Sequence, residues 1–189
     1  MAELKQRKCK ACKTPFTPAR STQTACGIDC AMQLAHERKV KLAECDRLDT
    51  VRKDRARKER LKTRRDWENE AQAAFNAWVR LRDADKPCIS CGRRHEGQYH
   101  AGHYLSVGAR PELRYEPLNV WKQCAPCNTH LSGNAVLYRQ ALVREIGIEK
   151  VEWLEGPHPV RKYTADDLKA IRDLYRAKLR ELVKERANG

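Results

Sequence analysis

The stretch CISCGRRHEGQYHAGHYLSVGARPELRYEPLNVWKQCAPCNTHLSGN, residues 88–134, decides how this chain folds. It starts with the pair Cys88 and Cys91 and approaches its end with the pair Cys124 and Cys127, two C-x-x-C turns separated by 32 residues. Each such turn sets two thiolates on one side of a tight loop, and two turns complete the tetrahedron that structural zinc prefers. Four thiolates leave no open position for water, so zinc held this way staples the fold and takes no part in chemistry. Between the pairs, Gly, Cys and His are frequent and helical period is short. This predicts loops and a hairpin, with strands near residues 99–105 and 118–123. A helix is predicted from near Ala125, its apolar stripe continuing through Leu137, Ala141 and Ile146 until Gly147 breaks it.

Upstream, Trp67, Ala71, Ala74, Phe75, Trp78 and Leu81 recur at spacings of three and four. They predict an amphipathic helix to about Ala84, stopped by Lys86 and Pro87. No Gly or Pro interrupts residues 28–86, which favours continuous helix. Residues 38–65 hold 13 Lys/Arg and 5 Asp/Glu and have no strong apolar stripe, so this part reads as a solvated basic arm. Residues 1–30 carry Cys9 and Cys12 in CKAC, then Cys26 and Cys30 in CGIDC, with too little apolar material for a core. A second zinc is the expected staple there, bringing the total to about two. Downstream, residues 155–159 read as a loop, and Thr164 with Asp167 marks the start of a last helix reaching about Arg186. Its stripe of Leu168, Ile171, Leu174, Tyr175, Leu179 and Leu182 is expected to dock on the domain, and Trp67, Trp78, Trp121 and Trp153 read as core.

The whole chain has 189 residues, a formal charge of +14, 41% hydrophobic residues and a mean hydropathy of -0.82. These values exclude a membrane protein, and the opening MAELKQRKCK is charged where a secretory signal needs an apolar run. The expected compartment is therefore a reducing cytosol, where nine Cys are read first as metal chemistry. A surplus of fourteen positive charges points to nucleic acid as partner.

The segments HAGHYL and PLNVWKQCAPCNTHLSGN place His103, Asn119 and Asn128 in the order His, Asn, Asn around the second Cys pair. That arrangement resembles the His-Asn-His (HNH) endonuclease superfamily, whose ββα-metal motif is often built into a treble-clef-like four-Cys zinc site. RDADKPCISCG, AGHY, LRY at 113–115 and QCAPCNTHLSGN, with the N-terminal quartet and the basic arm, are similar to the phage NinG (Rap) family of recombination endonucleases. The likeness covers nearly the whole chain. It implies an α+β fold in which residues 1–35 form the N-terminal zinc module and 36–66 the arm. Residues 67–147 would be the zinc-stapled nuclease core, and 148–189 a C-terminal helical segment. It also implies metal-dependent hydrolysis of branched DNA, such as Holliday junctions and D-loops, in phage recombination. The rival readings are a non-catalytic zinc-containing DNA-binding accessory and an HNH nuclease acting on ordinary duplex.

By the same resemblance His103 is the general base, Asn128 a ligand to a catalytic Mg²⁺ or Mn²⁺, and Asn119 the residue that fixes the loop orienting His103. Related motifs often carry Asp three residues before the base, where this chain has His100. His100 and His130 are thus candidates for metal or phosphate contact. For DNA binding the candidates are Arg114 beside the hairpin and Arg38, Lys39, Lys41, Arg52, Lys53, Arg55, Arg57 and Lys58 on the arm. His36, His95 and His158 lack motif context and read as surface or satisfied polar residues, and Cys45 as a free thiol. Symmetrical cutting of a four-way junction calls for two active sites, which points to a homodimer. Other recombination proteins are further candidate partners.

Overall fold

The computed structural model describes residues 4–188. It divides into two compact units, the first ending at Leu61 and the second beginning at Lys62. In the first unit the strands β1 (Arg7–Lys8) and β2 (Pro15–Phe16) pair antiparallel, and α1 follows over Ile28–Leu61. None of the residues of α1 is buried. Asp29 in its first turn and Lys58 and Arg60 in its last complement the helix dipole. Exposed pairs such as Arg47 with Glu44 and Arg52 with Asp49 run along its surface at i, i+3 spacing.

The second unit begins with α2 (Arg64–Arg82), which opens on a capping box. The Asp66 amide donates to Thr63 Oγ1 at 3.3 Å and the Thr63 amide to Asp66 Oδ2 at 2.8 Å. A hairpin of β3 (Tyr99–His103) and β4 (Val120–Cys124) follows, antiparallel, with His103 opposite Val120 and Tyr99 opposite Cys124. After a short turn of helix at Pro126–His130 come α3 (Ala135–Ile146), α4 (Ile148–Glu155) and α5 (Ala165–Asn188). The start of α5 is a second capping box, Thr164 with Asp167.

Successive residues of a strand point to opposite faces, and β4 uses this to serve two cores. Val120 joins Trp67, Phe75, Val79, Tyr115, Leu168 and Tyr175 beneath α2 and α5, where the Phe75 and Tyr175 rings meet edge to face at 4.7 Å. Trp121 joins Leu113, Tyr138, Leu142, Val151 and Leu154 beneath α3 and α4. Buried Asp83, just past α2, accepts from the Lys122 amide at 3.1 Å and pairs with Arg82, whose guanidinium also donates to the carbonyls of Pro117 and Val120. The hairpin is thereby held to the end of α2.

Several expectations need correction. The helix expected from Ala125 onward is broken: Ser132, Gly133 and Asn134 all take positive φ, so the Pro126–His130 turn and α3 are separate. Residues 148–155 form α4, and the loop starts only at Gly156, whose amide caps the Glu152 carbonyl. Trp153 is not core but 49% exposed, because α4 is short and buries only Val151 and Leu154. Leu174 is likewise half exposed, since the docked face of α5 passes through Leu168 and Tyr175 instead. Among the described residues no helix is long and apolar enough to cross a membrane.

Candidate metal centres and active site

Both cysteine quartets converge in space. Within each, the four Sγ atoms lie within 4.8 Å of one another. Cys12 to Cys26 and Cys26 to Cys30 are each 3.6 Å, and Cys91 to Cys124 is 3.9 Å. A tetrahedron with metal–sulfur bonds of about 2.3 Å has edges of about 3.8 Å, whereas a disulfide is about 2.05 Å. The donor set therefore fits zinc at both places. Within each quartet some thiols oppose the ionisation of others: Cys26 is pushed up by its hydrogen bonds with Cys12, Cys30 and Cys9, and Cys124 by burial and then by Cys88 and Cys127, while Cys9 and Cys88 are lowered, burial being outweighed by their hydrogen bonds. A divalent cation removes that opposition. Backbone N–H groups assist it, the Cys26 amide donating to Cys9 Sγ and the Cys124 amide to Cys88 Sγ, each at 3.4 Å.

One partner of the second quartet escaped the motif reading. His95 is neither solvated nor remote, for its Nε2 lies 3.2 Å from Cys91 Sγ and its backbone N–H donates to the Tyr99 hydroxyl at 2.7 Å. Its place four residues after Cys91 was the available signal. The imidazole is held where it supports the thiolate edge of the cluster, a contact that orients metal ligands in general.

The hairpin sets Asn119 beside the end of β3, but His103 shares the face of Val120 whereas Asn128 meets the opposite face, at Gly102. Half-buried His103 ends β3, and its Nε2 is 3.0 Å from the Arg114 carbonyl, which can only accept. Nε2 therefore carries the proton and Nδ1 keeps its lone pair. Burial lowers the His103 pKa below the ordinary value, an effect the Arg114 carbonyl partly offsets and the Arg114 charge adds to. Asn119 is fully buried. Its amide accepts from the Leu105 N–H at 2.9 Å and donates to the carbonyls of Leu105 and Leu113 at 3.0 and 3.2 Å, fixing both ends of the loop that carries Arg114.

Asn128 lies in the Pro126–His130 turn with its amide oxygen packed over Gly102, the neighbour of His103. A Cβ at position 102 would stand 3.0 Å from Asn128 Oδ1 and 2.1 Å from Gln123 Oε1, so only glycine admits this crossing. Gln123, also unsingled in the sequence, is fully buried, and its Nε2 donates to Ser90 Oγ and the Gly133 carbonyl, both at 2.6 Å. It thus joins the Cys88–Cys91 turn to the loop after Asn128, while its Oε1 has no hydrogen-bond partner among the described residues.

The remaining candidates are more dispersed. His100 is half-buried on β3 opposite Gln123, and His130 is exposed at the end of its turn. The Arg114 guanidinium is engaged by Glu68 and by Gln72 Oε1, so its charge is already partnered inside the unit. Arg38, Lys39, Lys41, Arg52, Lys53, Arg55, Arg57 and Lys58 are all exposed on α1, as is Cys45.

A family profile described as "Bacteriophage Lambda NinG protein" matches residues 1–185. Proteins called "Protein ninG" align over the entire chain. The one from Escherichia phage 933W is 41% identical over 200 residues and is itself fully covered. Those from Salmonella phage P22 and Escherichia phage lambda are each 40% identical over 202 residues, with 100% and 99% of their lengths covered. No solved structure matches the chain significantly.

Proposed function

The chain belongs to the bacteriophage lambda NinG family, and on that premise we propose that it is a metal-dependent, structure-specific DNA endonuclease acting on branched intermediates of phage recombination in the host cytoplasm. The reading makes β3, β4 and the Pro126–His130 turn a ββα-metal site of the HNH kind. The observation that carries it is the seat of His103: Nε2 is committed to the Arg114 carbonyl and Nδ1 is left as a base.

In this role His103 Nδ1 removes a proton from the attacking water, whose oxygen forms a bond to phosphorus as the bond to the 3′ oxygen breaks. The products are a 3′ hydroxyl and a 5′ phosphate. Asn128 is the residue assigned to hold the divalent ion; when bound, Mg²⁺ or Mn²⁺ supplies charge stabilisation at the phosphate and at the leaving oxygen. Asn119 keeps the Arg114 carbonyl in place and so keeps the His103 tautomer. The exposed cations of α1 provide phosphate contacts. Two copies acting together account for symmetrical cutting.

One observation favours the non-cutting accessory reading. Among the described residues, the only groups of three or more His, Cys, Asp or Glu side chains close enough to hold an ion are the two Cys quartets. Incubating the full chain with a labelled four-way junction and with matching linear duplex, in Mg²⁺ or Mn²⁺, separates the alternatives. The proposal expects junction-selective nicking that disappears in His103→Ala while DNA binding stays near the wild-type level. Equal cutting of duplex supports the general nuclease, and no cutting of either substrate supports the accessory.

A further inference from the structure

The exposed indole of Trp153 is unusual for this chain. Among the described residues it is the sole aromatic side chain in the set of exposed large hydrophobics, whereas Trp67 and Trp121 are buried. It borders an open cavity of about 290 Å³, lined also by Glu112, Leu113, Glu116, His158, Pro159, Val160 and Arg161. The His158 ring stands edge-on to the indole, with centroids 4.6 Å apart and planes at 80°, and its Nε2 donates to the Trp153 carbonyl at 2.8 Å. The aromatic wall is thereby fixed before any ligand arrives.

The charges around the cavity also distinguish among ligands. Glu112 is neutralised by Arg110 at 2.7 Å, and the Glu116 carboxylate accepts from the Leu118 amide at 3.1 Å. Arg161 lies over the Tyr163 ring and places a cation at the rim, its charge also helping to hold the Asp167 carboxyl low. Flat aromatic surface beside a guanidinium suits a nucleotide, the base stacking on the ring and the phosphate meeting the cation. The wall is also continuous with the candidate active site. Glu112 and Leu113 immediately precede Arg114, whose carbonyl seats His103, and the Leu113 carbonyl accepts from Asn119.

We propose that this cavity binds one unpaired nucleobase of the DNA, stacked on Trp153, and so supplies part of the discrimination between branched and continuous DNA. A base inside a duplex has both faces covered by its neighbours and cannot enter, while a base at a branch, flap or mismatch has a face to offer. The inference rests on the reading that branched DNA is the ligand, and it adds the feature of that DNA that is recognised.

The test uses the intact zinc-loaded protein, its tryptophan emission, and a short oligodeoxythymidylate beside an abasic oligomer of equal length and charge. Oligodeoxythymidylate is expected to quench the emission and to bind more tightly than the abasic strand. Trp153→Ala is expected to weaken oligodeoxythymidylate binding about fivefold to hundredfold and to leave abasic binding unchanged. Trp153→Phe is expected to restore affinity without the quench. Because Val151 and Leu154 are the buried residues of α4, these variants leave its packing intact. Equal affinity for the two oligomers, or an unchanged affinity in Trp153→Ala, overturns the proposal. The two readings fail separately: quenching in a protein that cuts no DNA keeps the base site and removes the nuclease, whereas junction-selective cutting unaltered by Trp153→Ala, with unaltered affinity, does the reverse.

Discussion

In the N-terminal unit the Cys9 amide donates to the Thr14 carbonyl, the Lys13 amide donates to the Cys9 carbonyl, and Lys13 takes φ 65°; in the larger unit Cys88, Arg93 and Gly92 repeat the pattern, with Gly92 at φ 67°. The same knuckle has been built twice. Their surroundings differ: Cys88, Cys124 and Cys127 are buried between a hairpin and the Pro126–His130 turn, whereas of the first quartet only Cys9 is buried and Cys12 and Cys26 are exposed. Local spacing and backbone hydrogen bonds thus suffice to shape a four-thiolate site, and packing around it decides what depends on the metal.

The largest expected consequence of that difference lies in the cysteines themselves. Cys88→Ser should unfold the unit beginning at Lys62, because it leaves buried thiolates without their cation and frees the hairpin. Cys9→Ser should leave that unit folded and reduce bound zinc from about two per chain to about one. Thermal melts with elemental analysis check both, and a melt of the larger unit that shifts equally in the two variants breaks the comparison.

Next in size is the chemistry proposed for the second unit. His103→Ala should slow cleavage about a hundredfold to ten-thousandfold. Since burial holds the His103 pKa below about 6.5, the neutral base should persist to lower pH than a free imidazole, and the rate should fall only as pH drops through that depressed value. The stability sign is consistent: the unfolded state gains this proton first, so His103 lowers folding stability as pH falls below about 6.5. A single-turnover rate profile that breaks above 6.5 contradicts the burial argument.

The N-terminal unit should matter for affinity instead. A chain starting at Lys62 is expected to retain His103-dependent nicking at low salt but lose binding sharply as salt rises. Its log–log salt slope should flatten by about 0.9 for each phosphate contact removed. Binding isotherms at several salt concentrations measure this, and an unchanged slope would make α1 a spacer only.

Three smaller effects sharpen the comparison at single backbone positions. Gly102→Ala sets a Cβ against buried Gln123 and should cost about 1–3 kcal/mol by denaturant unfolding, with Gln123→Ala in the same chain recovering part of it. Lys13→Gly should stabilise the first knuckle by about 0.5–1 kcal/mol, because a left-handed φ is strained for lysine and free for glycine. Competition with a chromophoric chelator reads this as zinc affinity. Gly92→Ala should show the opposite sign in the second knuckle, where nothing lies within 4 Å of a new Cβ and the backbone angle alone matters.

Much of this molecule is determined by the chain's own short-range pattern. Cys spacing carried both four-thiol clusters, threefold and fourfold apolar spacing carried α2, and Thr164 with Asp167 carried the start of α5, because turns, stripes and caps are made by residues a few positions apart. The break before α3 was less visible, since Ser132 and Asn134 can enter the left-handed region but do not demand it. Other features needed three dimensions. Arg114 is committed to Glu68 from 46 residues away, His95 turns back on Cys91, Gln123 crosses Gly102 to reach Ser90, and Trp153 stays in solvent while Trp121, equally apolar, is buried. A sequence records what each side chain can do, but which charge is partnered and which ring is covered depends on elements brought together from distant parts of the chain, and only the packed tertiary structure decides that.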